Sequence, residues 1–142
     1  MLAAAADLLD QGTIINRLSI AVTAIAIAVL LLPMIPASEA TLPVAASVAL
    51  FGVTELVIAM RVSLDAALFR RLANDAAAER LDVGAFDAAM LALKLMSAGK
   101  AGQPIAKRFA GARRLLVVQG VTLFLQVAAA IAGGAAITFN WA

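Results

Sequence analysis

The stretch from Arg61 to Arg114 reads RVSLDAALFRRLANDAAAERLDVGAFDAAMLALKLMSAGKAGQPIAKRFAGARR, and its composition sets it apart from everything around it. It carries ten of the eleven Lys and Arg residues of this 142-residue chain and five of the nine Asp and Glu. The block is therefore +5 and the remainder −3, although the whole chain is only +2. On both sides lie apolar runs too long for a water-soluble fold. The chain is 64% hydrophobic and 14% charged, whereas soluble domains carry about a quarter charged residues. This partition is that of an integral membrane protein with the block outside the bilayer.

Working outward from the block, residues 44–62 form an apolar run whose one interior ionisable group is Glu55, with Arg61 marking the boundary. Before it, residues 37–43 make a short link without Lys or Arg, which predicts a hairpin of two spans. The first span is predicted over residues 14–35, with Arg17 as its only charge and Pro33 and Pro36 ending it. Its 22 residues would rise about 33 Å, enough to cross the hydrocarbon. Ser38, Glu39 and Ala40 resemble a signal-peptidase site; the expectation is an uncleaved anchor. The head before the span predicts a brief interfacial helix interrupted at Gly12. Downstream, residues 115–137 are free of charge and form the third span, and Phe139 and Trp141 follow where an interfacial aromatic belt is expected. No internal repeat is evident beyond the alanine richness.

Within the block, Leu64, Leu68 and Leu72 recur at four-residue spacing. They predict that the second span continues outward as one amphipathic helix, with Asp65 placed to offset Arg61. Residues 74–82 read as a joint, and Asp82 as the cap of a helix over 84–96. Phe86, Ala89, Met90 and Leu93 share one face of that helix, while Leu91 and Leu95 lie on the other. It is apolar nearly all round, so something must cover it. Residues 97–103 read as a loop, with Pro104 at the start of the next helix. There Lys107, Arg108, Arg113 and Arg114 oppose an apolar arc of Ile105, Phe109, Ala112 and Leu116. That arrangement suits contact with anionic lipid headgroups, and it equally suits an ordinary orientation signal.

The expected fold is all-α: three transmembrane helices with a helical insertion, residues 63–114, between the second and third, in one domain. The positive-inside rule puts the basic block in the cytoplasm. The N-terminus then lies inside and the C-terminus outside, as in a bacterial inner membrane.

Composition also excludes chemistry. The sequence has no Cys, His or Tyr. Thiolate nucleophiles, disulfides, iron–sulfur clusters, His-based triads and the usual haem and zinc ligands are therefore ruled out. No metal or cofactor is expected. The most suggestive group is Glu55, because a carboxyl inside an apolar span is expensive and faces protein or a water-filled cavity. Counting from the inner boundary places Gln119, Thr122, Ser19 and Thr23 at its depth. The bland reading is hydrogen-bonded glue, or a carboxyl that reaches toward Arg113 or Arg114; the functional one is a proton or cation site, or an ion pair with a partner subunit. Gln126 and Gly133 continue the Gln119 face. Ala130 and Gly134, four apart, form a second small-residue pattern suited to close helix packing. Ser97 to Gly102 lacks the first glycine of a phosphate loop, and Ala101 stands where a Ser or Thr would bind magnesium. The basic cluster lacks the interleaved aromatics of a nucleic-acid surface.

The layout of three spans with a Glu near the inner end of the second resembles bacterial diacylglycerol kinase. That resemblance stops at layout. Ile58 and Val62 occupy the positions where the family needs an Asn and a second Glu, and the acid of the third span is missing, so phosphoryl transfer has no machinery. The expected function is non-catalytic: a small subunit that assembles with other membrane proteins, or with itself. It would do so through its spans and through Phe86, Met90, Leu91, Leu93 and Leu95. The alternative is a homo-oligomeric channel or transporter using Glu55 and Gln119.

Overall fold

A computed structural model of the chain describes residues 1–31 and 41–139, with the side chains of residues 30, 41 and 136–139 left aside. The expected ends of the first span at Pro33 and Pro36, most of the 37–43 link, residues 38–40, and the aromatics Phe139 and Trp141 lie outside what is described. Within it the chain is all-helical. Helices α1 (Leu2–Leu31), α2 (Thr41–Ala77) and α4 (Ile105–Phe139) are long and apolar enough to cross a membrane, and the short α3 (Val83–Ala92) lies between α2 and α4.

The three long helices have 30, 37 and 35 residues. They rise about 45 to 55 Å each, against a hydrocarbon thickness of about 30 Å. The excess lies mostly at one end. Gly12 and Ser19 of α1 meet Gln119 and Gln126 of α4, so these two helices are parallel. Glu55 meets Gln119 while Val48 meets Gln126, so α2 runs antiparallel to both. The charged end of α2, the basic start of α4 and the acidic start of α1 therefore gather on one side, as a helical stalk beyond the spans.

This corrects the reading of the head. Gly12 does not interrupt anything, and α1 is continuous from Leu2. The N-terminal turns do not lie flat on an interface. Ala5, Ala6 and Leu9 are buried with Val62, Ala66 and Phe69 of α2 and Ala112 of α4. Asp10 pairs with Arg70 across the same contact. A partner helix was available to these turns, and burial against it outweighs the helix cost of one glycine, about 1 kcal/mol. Phe69 and Phe109 close the layer edge to face, with centroids 5.9 Å apart and planes at 86°.

A seven-residue repeat organises the interior. Ala5, Gly12, Ser19 and Ala26 are buried on α1; Val48, Glu55, Val62 and Phe69 on α2; Ala112, Gln119, Gln126 and Gly133 on α4. A second series on α2, Ala45, Gly52, Ala59 and Ala66, is also buried. Seven residues make nearly two turns, so each series keeps one side chain per two turns facing the seam, as in left-handed bundles.

The insertion ends its helices by tight turns. α2 stops where Glu79 takes φ 56°, with Arg80 N–H donating to the Asp75 carbonyl and Glu79 N–H to that of Ala76. α3 repeats the device: Lys94 takes φ 56°, Leu95 N–H donates to the Met90 carbonyl and Lys94 N–H to that of Leu91. This left-handed cap normally uses glycine. α3 starts as expected, with the Asp82 carboxylate accepting from Ala85 N–H at 2.9 Å. It ends four residues earlier than the sequence suggested, because the cap at Lys94 turns Leu95 back toward Met90. Lys94→Gly, and likewise Glu79→Gly, should raise stability by about 1 kcal/mol by removing the left-handed penalty on a Cβ-bearing residue. Thermal unfolding in detergent measures this, and a lowered midpoint for both variants would contradict the reading.

Candidate functional site

The polar residues of the spans converge in the bundle interior, but in two layers and not in one. In the first, Gln119 Nε2 donates to Glu55 Oε1 at 2.7 Å and to the Gly12 carbonyl at 2.9 Å. Both side chains are completely buried. Gly12 is what lets α1 approach: a Cβ there would fall 2.8 Å from Gln119 Oε1 and 2.9 Å from Val62 Cγ1. Glu55 therefore does not reach toward Arg113 or Arg114, and its partner is the amide of α4.

In the second layer Gln126 is the hub. Its Oε1 accepts from Ser19 Oγ at 2.7 Å, and its Nε2 donates to Thr23 Oγ1 at 2.7 Å. Weaker contacts run from the same nitrogen to the carbonyls of Ser19 at 3.2 Å and Val48 at 3.4 Å. Gly52 makes room for Thr23. The two glutamines are seven residues apart, hence about 10 Å along the axis.

Counting from the boundary groups Ser19 and Thr23 with Glu55. The structure gives them to Gln126, and Thr122 Oγ1 bonds only its own helix, at the Val118 carbonyl. The reason is register. α1 extends well inward of Ile14, so its residue opposite Glu55 is Gly12, which carries no side chain to advertise it. Gly133 lies against Val44, whereas an added Cβ at Gly134 would meet nothing within 4 Å.

The layers differ in how well they are satisfied. All of Gln126's polar atoms have partners. In the Glu55 layer, Glu55 Oε2 and Gln119 Oε1 are buried without a hydrogen-bond partner, as is Asn16 Oδ1 one turn along α1 from Gly12. An unmet buried acceptor costs about 1–3 kcal/mol. Glu55→Gln supplies an amide N–H to this acceptor-rich layer and should melt at or above the wild-type temperature, whereas Glu55→Leu, which strands the Gln119 amide, should melt lower. Equal melting of the two variants would refute this reading of the layer.

On the charged side, a clasp holds the insertion. Arg108 forks onto Asp87, with Nη1 and Nη2 each donating to a carboxylate oxygen at 2.6 Å. Asp87 also accepts from Gly102 N–H at 2.8 Å, and Gly102 sits at φ 71°, where glycine is favoured. Hydrogen bonding from Arg108 is the main reason the Asp87 carboxyl lies below its ordinary range, with the Gly102 amide adding to it and burial opposing. Arg108, expected at the headgroups, instead joins Asp87 in locking α3 onto α4. Of the remaining headgroup candidates, Lys107, Arg113 and Arg114 are exposed.

Of the apolar residues expected at a partner surface, Met90 is buried and Phe86 and Leu91 are half-buried, while Leu93 is 67% and Leu95 40% exposed. Between the insertion and the stalk lies a cavity of about 390 Å³, lined by residues of α2, α3, the following loop and α4. Among the described residues no group of three or more acidic side chains could hold a metal ion. Comparisons with protein-family models, with curated proteins and with solved structures give no match.

Proposed function

We propose that this chain is a non-catalytic membrane subunit that assembles with other membrane proteins. Its basic block and N-terminus would lie on the cytoplasmic side of a bacterial inner membrane, and its C-terminus outside. The observation that carries this reading is the exposure of Leu93, at 67%, beyond the spans. The segment holding it is fixed by the Asp87–Arg108 clasp and so presents its apolar surface in one place. Leu81, at 37%, is a further exposed leucine outside the spans. Exposed apolar surface of this kind marks an interaction site where it forms a contiguous patch. The polar span residues support the same reading, since their hydrogen bonds join α1, α2 and α4 of one chain.

Extraction of native membranes into polymer-bounded discs tests the proposal. The chain should leave the membrane with a partner at fixed stoichiometry, and Leu93→Asp should release it. A chain found alone in such discs, at the mass of a monomer, overturns the reading.

A second reading rests on the unpartnered oxygens of Glu55 and Gln119, which favour a small cation or proton held inside the bundle. A pathway formed among copies would need Glu55 on an outer face, whereas it is wholly enclosed in one chain. Ion flux into liposomes that disappears in Glu55→Gln would establish this second reading, and its absence under every gradient would remove it.

A further inference from the structure

The cavity beneath the insertion has two kinds of wall. Phe69, Leu72, Phe86, Met90 and Leu95 give it an apolar interior, while Arg61, Lys100 and Lys107 stand among its lining with Asp65. Arg108 also lines it but is committed to Asp87. Lys100 and Lys107 hold no ion pair among the described residues, and Arg61 meets Asp65 only at 3.8 Å. Three cations thus face one acid. That acid is itself largely enclosed, its side chain 16% exposed. The lining includes Arg61 at the inner boundary of the second span and Leu115 at the start of the third, so the cavity lies where the headgroups of that leaflet begin.

We propose that this cavity binds an anionic phospholipid, its phosphate drawn to Lys100, Lys107 and Arg61 and the upper part of an acyl chain lying against Phe69, Phe86 and Met90. Charge complementarity selects an anion. The apolar depth selects an amphiphile over a free anion. The position at the leaflet boundary selects a lipid over a soluble peptide. Basic pockets of this kind between membrane helices are a recurrent form of headgroup recognition.

Gly111 gives a clean way to test it. It lines the cavity, and a Cβ added there meets nothing within 4 Å. Gly111→Leu therefore adds apolar volume at the cavity lining from an unobstructed Cβ and favours the helix, so it is expected to fold. The experiment is native mass spectrometry of the purified full chain in a neutral detergent, titrated with phosphatidylglycerol and separately with phosphatidylcholine. One phosphatidylglycerol should be held per chain under conditions where phosphatidylcholine is not. K100Q/K107Q should weaken it about tenfold or more, at roughly 1 kcal/mol per basic group near a lipid surface. Gly111→Leu should weaken it as much without changing any charge, and Asp65→Asn should tighten it. The exposed pair R113Q/R114Q should stay within about twofold, because its charges face screened solvent. Equal binding of the two lipids, undiminished binding to Gly111→Leu, or an equal loss in R113Q/R114Q overturns the proposal. So does a second copy of the chain occupying the site.

Discussion

Asp87→Ala is expected to release the insertion and leave the three-helix bundle standing. The substitution strands the Arg108 guanidinium, 15% exposed with its partner at 8%, and removes the acceptor for Gly102 N–H. Breaking one side of an enclosed, forked ion pair costs several kcal/mol. Here the pair lies at the edge of the fold, where water reaches it, so the expected loss is about 2–3 kcal/mol, confined to the segment from Val83 to Gln103. Hydrogen exchange should show Gly102 and the α3 amides losing protection while the amides around Gln126 keep theirs. Uniform loss across the bundle would mean that the insertion is part of the core and not a clasped addition to it. Acid should reproduce the effect. The Asp87 carboxyl is depressed in the folded chain, so its contribution is whole above the ordinary value of 3.8 and disappears as the pH falls through the lower folded value.

Gly52→Val should cost more, about 3 kcal/mol or above, and it should strike the bundle itself. A Cβ at position 52 would stand 1.9 Å from Thr23 Oγ1 and 3.0 Å from Gln126 Nε2. Neither can give way freely: Thr23 is engaged with Gln126 and with the Ser19 carbonyl at 2.8 Å, and Gln126 is held from three directions. The larger side chain must therefore push α1 from α2 or break the Gln126 layer. Gly52→Ala alone should be damaging, and Thr23→Ala should recover part of that loss in the double variant, since it removes the closest atom. Strict additivity of the two changes would show that the contact is not the one described. The readout is the unfolding midpoint in a fixed detergent.

These two sites show what the sequence could and could not disclose. The three apolar runs were visible because crossing about 30 Å of hydrocarbon demands length and lack of charge, and both can be counted. Glu55, Gln119 and Gln126 stood out because polar groups in such runs are costly. Their partners were harder to see. Gly12 contributes a carbonyl and an absence, and Gly52 only an absence, so neither offers a side chain to recognise. The seven-residue spacing of small residues at 5, 12, 19 and 26 was the available signal. It was hidden because alanine and glycine are common throughout this chain.

The insertion was less legible still. Apolar residues at 93 and 95 extended the helical pattern of α3, and nothing in the local sequence announced that Lys94 would take a left-handed conformation. That turn is favoured by what it allows, the return of the chain to α4 and the meeting of Asp87 with Arg108, 21 residues apart. Long-range pairing of this kind leaves no periodic trace. The cavity under the insertion follows from the same turn and was equally hidden.

The central claim is that α1, α2 and α4 cross the membrane as one antiparallel bundle, with the N-terminus and the insertion on the same side. The chain contains no cysteine, so single cysteines can be introduced without background. The measurement is labelling by a membrane-impermeant maleimide in sealed, right-side-out and inverted vesicles, with cysteines at Ala3, Leu93 and a C-terminal extension. Ala3 and Leu93 should label together in one orientation and the C-terminal site only in the other. Labelling of Ala3 and Leu93 from opposite sides, or of the C-terminal site together with Leu93, would contradict the account.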